Sequence, residues 1–191
     1  MYIQQLYTGC LSEAAYYIES EGEAAIIDPL RDTDEYIRMA AERKAGIKYI
    51  FETHFHADFV SGHIDLGKKT GAPIIYGPNA ATNYEAHISK DGELFKLGKL
   101  TIEVVHTPGH TLESSCYLLR DEDGKPHALF TGDTLFVGDV GRPDLSSGNM
   151  SSEELAGIMY DTIQNKILPL PDDVLVYPAH GAGSSCGKNL G

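Results

Sequence analysis

Over its first thirty positions the chain alternates apolar and polar residues in the manner of strands, roughly Tyr2 to Thr8, Ala14 to Glu19 and Glu23 to Ile27, with turns at Gly9 and Glu21-Gly22. The pattern predicts an antiparallel opening meander. Asp28-Pro29 ends the third strand, and the period then lengthens: Tyr36, Ile37, Ala40 and Ala41 share a helical face within about Thr33 to Ala45, closed by Gly46. Ile47 to Glu52 is apolar enough for a buried strand, and it delivers the chain to Thr53-His54-Phe55-His56-Ala57-Asp58-Phe59.

Further along, His63 to Lys69 reads as a short helix ended by Gly71, and Pro73 to Tyr76 as a strand. Strands at about Glu93 to Leu97 and Leu100 to His106 are joined by a Gly98-Lys99 turn, and Thr107-Pro108-Gly109-His110-Thr111 follows as a tight turn. Ser114 to Leu119 and His127 to Phe130 form another hairpin across the polar tip from Asp121 to Lys125. The longest helix candidate is Ser151 to Lys166, with Ser151 or Ser152 as cap, Glu153 and Glu154 in its first turn and Pro169 beyond its end. A last strand, Val174 to Tyr177, runs into Pro178-Ala179-His180-Gly181. Strands thus come in two blocks with helices between them, an α+β pattern that two sheets with helices on their outer faces would bury.

The 191 residues suffice for one domain with a sizeable core, and no linker-like break divides them. A net charge of -13 repels phosphate backbones and anionic bilayers, so neither nucleic acid nor membrane is an expected partner. Cys10, Cys116 and Cys186 are widely spaced and odd in number, which fits a reducing compartment better than a disulfide framework. With no signal-like N-terminus and no apolar run of membrane-spanning length, a cytoplasmic protein is the expectation.

The candidate chemistry sits where strands end. His54 and His56 follow one strand, His110 a second, Asp133 a third and His180 a fourth, and such loops can converge at one edge of a sheet sandwich. Imidazole nitrogen and carboxylate oxygen are what a divalent metal of borderline character takes, each held at about 2 Å. Gly132 before Asp133 and Pro108-Gly109 before His110 provide the tight turns that hold such groups in place.

These segments resemble the metallo-β-lactamase superfamily, whose ordered motifs run Thr-His-x-His-x-Asp-His, Pro-Gly-His-Thr, Gly-Asp and a late His. Thr53 to His63 (THFHADFVSGH), Thr107 to Thr111 (TPGHT) and Thr131 to Leu145 (TGDTLFVGDVGRPDL) are together similar to its persulfide dioxygenase branch. The resemblance implies an αββα sandwich holding one iron(II), with zinc as a substitute, through His54, His110 and Asp133. Two imidazoles and a carboxylate on one face of an octahedral ion leave sites open for dioxygen and substrate. In two-metal relatives the residue after Asp58 is a ligand, and Phe59 cannot coordinate, so one metal is expected here. His56, Asp58 and His180 then have the roles of orienting water, a bound ligand or the liganding imidazoles through hydrogen bonds. His63 is a weaker substitute ligand, its place at a helix start fitting a capping or surface role better.

Asp28 either braces the His54 loop or simply turns the chain with Pro29. Arg142 either bridges to Asp139 or Asp144 or clamps a substrate carboxylate, and the bridge is the weightier reading. Cys186, six residues after His180, is a candidate to accept or relay a persulfide, against the plain reading of a loop cysteine. The activity implied is oxidation of a small thiol persulfide, such as glutathione persulfide, by dioxygen to sulfite. A thioester hydrolase of the glyoxalase II type with zinc is the alternative enzyme, and a persulfide-binding relay module the non-catalytic one. The chain stops eleven residues past His180, where superfamily members usually continue, so the expectation is the N-terminal part of a longer chain, with a rhodanese domain downstream. Self-association into a homo-oligomer stays open.

Overall fold

The structure is a computed structural model, and it describes residues 1–144 and 150–181. Two sheets face each other. The first has six strands in sequence order: β1 (Tyr2–Thr8), β2 (Glu13–Ser20), β3 (Glu23–Ile27), β4 (Gly46–Glu52), β5 (Ile74–Tyr76) and β6 (His87–Ile88). Its opening meander is antiparallel, as the alternation predicts, and β3 through β6 are parallel. The second has β7 (Leu94–Leu97), β8 (Leu100–His106), β9 (Ser115–Arg120) and β10 (Pro126–Gly132) in an antiparallel run. β13 (Leu175–Pro178) is added parallel to β10. A small hairpin, β11 (Leu135–Phe136) with β12 (Asp139–Val140), follows β10.

Alternation in β2 shows how the layers form. Tyr16 and Ile18 enter the core between the sheets with Phe51, Tyr117 and Phe130, whereas Ala15 and Tyr17 face the other way, beneath the helices. Tyr36 and Ala40 of α1 (Asp34–Arg43) and Leu66 of α2 (His63–Thr70) cover that outer face. Phe51 and Tyr117 meet across the sheets with ring centroids 4.7 Å apart, an aromatic pair whose truncation to alanine costs about 3–5 kcal/mol. On the far side, Ile167, Leu170 and Val174 pack against Cys116, Leu118 and Leu129 of the second sheet. The αββα sandwich implied by the resemblance is therefore the fold observed.

The long helix departs from expectation at its end. α3 (Ser152–Thr162) begins with a full capping box between Ser151 and Glu154, but at Ile163 it widens into a π-helical turn that runs to Ile167. Lys166 on that turn binds the Asp91 carboxylate and the His106 carbonyl, each at 2.7 Å. Among the described residues no helix is long and apolar enough to cross a membrane.

Candidate metal centre

The direction of the strands decides which residues meet. β3 and β4 are parallel, so Asp28 and the His54 loop leave the first sheet at the same edge, while β2 runs antiparallel and therefore starts there, at Glu13. β10 and β13, also parallel, bring Asp133 and His180 to that edge from the second sheet. Backbone bonds fasten the two halves together: Ala179 N donates to the Gly132 carbonyl, Ala14 N to the Ala179 carbonyl and Ser115 N to the Thr53 carbonyl.

His54, His110 and Asp133 converge, with all three donor atoms within 4.8 Å of one another. His110 Nε2 lies 3.4 Å and His54 Nε2 4.0 Å from Asp133 Oδ2. Tautomers follow from what the other ring nitrogens touch. Thr53 spends its hydroxyl hydrogen on Asp28 Oδ2 at 2.8 Å, so toward His54 Nδ1, 3.0 Å away, its oxygen can only accept. His110 Nδ1 is 2.9 Å from the Arg142 carbonyl, which also only accepts. Both imidazoles thus donate through Nδ1 and aim a lone pair from Nε2 at a carboxylate oxygen. Three acceptors facing one another without a hydrogen between them fit a cation, since ligands at about 2 Å from one ion stand about 3 Å apart.

Electrostatics agree. Burial, and after it the charge of His56, push His54 down to about 3, keeping it neutral and available as a ligand. Burial opposes ionisation of Asp133, but the His180 hydrogen bond and the charges of His54, His180 and His110 hold its carboxyl well below the usual range. Close packing is built into the backbone here: a Cβ on Gly141 would stand 1.7 Å from the Asp133 carbonyl oxygen and 3.2 Å from His110 Cβ.

His180 orients Asp133. Its Nε2 is 3.2 Å from both Asp133 Oδ1 and Asp58 Oδ2, and its Nδ1 lies 3.0 Å from Glu13 Oε2 and 3.2 Å from the Ser12 carbonyl. Burial pushes the Glu13 carboxyl up to about 9. Glu13, Asp58 and His180 form a second grouping with metal-ligand spacing, so Asp58 and His180 are joined by an acid, Glu13, that the sequence reading did not include.

His56 takes a different place from the one expected of it. Although its ring centroid is 4.2 Å from that of His54, its Nε2 lies 3.0 Å from Asp28 Oδ1 and 3.8 Å from Glu52 Oε2. Burial alone would lower its pKa, but Coulombic attraction and hydrogen bonding to Asp28, with Glu52 beyond, raise it to about 10. Phe59, whose ring has no ligand atom, lies against this ring at 4.3 Å. His63 neither caps α2, whose cap is Gly62 with no side-chain bond, nor reaches the His54 grouping: it stands 3.6 Å from Glu52 Oε1 and 2.9 Å from the Tyr84 hydroxyl.

Asp28 braces the His54 loop, accepting the Thr53 amide at 2.8 Å on Oδ1 from a backbone held at φ +49°. Arg142 makes the bridge: its guanidinium pairs with Asp144 at 3.0 and 2.6 Å, while its carbonyl holds His110. Cys186 lies outside the described residues. Sequence reasoning missed Glu13 and Glu52. Each had a signal, an acid abutting an apolar strand, but only the strand directions reveal that both open onto one edge.

Over 180 residues the chain is 30% identical to a probable hydroxyacylglutathione hydrolase of Schizosaccharomyces pombe, which covers 92% of this chain and 66% of that protein. A metallo-beta-lactamase structure from Staphylococcus aureus superposes with TM-score 0.89 at 40% identity, covering 98% of this chain and 58% of that one. ETHE1 from Myxococcus xanthus gives 0.83 at 32% identity, covering 100% and 80%. The chain thus spans about three-fifths to two-thirds of the first two relatives. A match to the family model over residues 8–180, on an αββα sandwich with its metal-binding groups at one edge, makes the chain a member of the metallo-beta-lactamase superfamily.

Proposed function

We propose that the chain is a persulfide dioxygenase domain with a single iron(II) held by His54, His110 and Asp133. The observation that carries this reading is the composition of the converging set: two imidazole nitrogens and one carboxylate oxygen, with His56 turned toward Asp28 and Phe59 where a further ligand would stand. Likeness to ETHE1 and to the dioxygenase-type motifs supports it. The reaction is RSSH + O2 + H2O giving RSH and H2SO3, which ionises to sulfite. Iron(II), when bound, supplies the redox chemistry.

The chain supplies geometry. Thr53 and the Arg142 carbonyl fix the two rings, His180 fixes Asp133, and the buried surroundings of all three exclude bulk water from the reacting sulfur. Asp58, 31% exposed and 3.2 Å from His180 Nε2, can orient a water or the substrate thiol.

A second reading has an observation of its own. Glu13, Asp58 and His180 stand beside Asp133 Oδ1, and the relative in Schizosaccharomyces pombe is named for hydroxyacylglutathione hydrolysis, which favours a zinc hydrolase of the glyoxalase II type. Oxygen consumption with glutathione persulfide, measured beside the metal content of the same sample, separates them. Iron with uptake supports the dioxygenase; two zinc ions without uptake support the hydrolase and overturn it.

A further inference from the structure

Resting on the reading of His54, His110 and Asp133 as a metal centre, we infer that Glu52, together with Asp28, holds His56 out of that centre and so fixes its ligand set at two imidazoles and one carboxylate. Distance alone does not keep His56 away, because its ring is a direct neighbour of the His54 ring at 4.2 Å. Its Nε2 faces two carboxylate oxygens instead, with a side chain 1% exposed and Phe59 lying against it.

The two carboxylates are not equivalent. Both oxygens of Asp28 already accept from Thr53, one from its amide and one from its hydroxyl, so Asp28 serves the His54 tautomer as well as His56. Glu52 is held elsewhere: Oε1 lies 2.7 Å from the Ser61 hydroxyl and 3.6 Å from His63 Nδ1, while Oε2 is the oxygen turned to His56. A carboxylate anchored through one oxygen and offering the other is a tether. At 3.8 Å its pull on His56 is electrostatic and weaker than the 3.0 Å contact from Asp28, so removing it loosens one of two holds and leaves the Asp28–Thr53–His54 brace in place, which makes Glu52 a positioning residue that acts through His56.

Long-range 1H–15N spectra of the zinc-loaded protein test this, because coordination moves an imidazole nitrogen to a distinct shift whatever the activity. The native protein is expected to show two metal-bound Nε2 resonances, from His54 and His110. Glu52→Leu is expected to show a third, which disappears in Glu52→Leu/His56→Asn, and to tighten zinc binding against a competing chelator by on the order of tenfold. Glu52→Gln, which keeps the shape and drops the charge, replaces the leucine variant should the latter fail to fold, with the same direction expected. A metal-bound His56 in the native protein, or two resonances and unchanged affinity in both Glu52 variants, overturns the tether. Absence of any metal-bound imidazole in the native protein overturns the metal centre itself.

Discussion

Thr53 gives both its amide and its hydroxyl hydrogen to Asp28, each at 2.8 Å, and the direction of the second bond decides the tautomer of His54. Thr53→Val keeps the shape and removes the hydroxyl, leaving a buried Asp28 oxygen without its donor and His54 without its Nδ1 acceptor. Metal affinity should fall by about 10–100-fold, the usual effect of removing a group that orients a ligand. Chelator competition on folded protein is the measurement, and native affinity would refute the relay.

His110 is expected to be indispensable. Its Nε2 is the nearer imidazole nitrogen to Asp133 Oδ2, at 3.4 Å, and alanine supplies no replacement donor. His110→Ala should purify folded, with iron content and persulfide-dependent oxygen uptake reduced to background. Equal activity in this variant would sink the proposed ligand set.

Gly109 ties the His110 turn to α3. Its φ is +149°, and a Cβ there would lie 2.6 Å from Met159 Cβ and 2.7 Å from Met159 Cα, contacts the helix cannot relieve by a rotamer change. The neighbouring Pro108 carbonyl accepts from the Thr162 hydroxyl at 2.9 Å, so the turn and the helix are fastened at two points. Gly109→Ala should destabilise the fold by about 1–3 kcal/mol and loosen metal binding as His110 shifts. Urea unfolding of the metal-free protein isolates the first effect.

Acid sensitivity has a component far from the site. Burial alone would raise the Glu19 carboxyl, but hydrogen bonds from Arg43 and Tyr17 outweigh it and hold its pKa below the usual value. A depressed carboxylate pKa means the unfolded chain binds the proton first, so the contribution is full above about pH 4.5 and is lost as pH falls through the folded value. Exposure limits it to about 1 kcal/mol or less. Arg43→Gln should therefore lower stability near pH 7 and leave it nearly unchanged near pH 3, as thermal melts at the two values would reveal.

Much of this is legible in the amino-acid sequence. Glu23–Ile27 and Leu100–His106 begin and end where apolar runs and turn residues place them, because each is a mostly apolar stretch set between a glycine and a proline, Gly22 and Pro29 or Gly98 and Pro108. His54, His110 and Asp133 were likewise marked by turns that follow apolar runs. Glu13 and Glu52 were not, since a carboxylate becomes informative only when a partner 167 or 4 positions away is known to face it, as His180 and His56 do. The π-helical turn was hidden for a different reason: Ile163 to Ile167 contains no Gly or Pro to mark a break, and its widening goes with the Lys166 contacts to Asp91 and His106 in another part of the fold.

The parallel pairing of β10 with β13 also sets a timetable. His180 reaches back across 168 positions to the Ser12 carbonyl, so the earliest and latest parts of the chain must both exist before Asp133 is oriented. A nascent chain leaving the ribosome can form its opening meander at once, but it offers an incoming metal an incomplete set of supports until translation has passed residue 180. Metal loading consequently follows the synthesis of residue 180, and the metal available from that moment on is what the completed set of supports first meets.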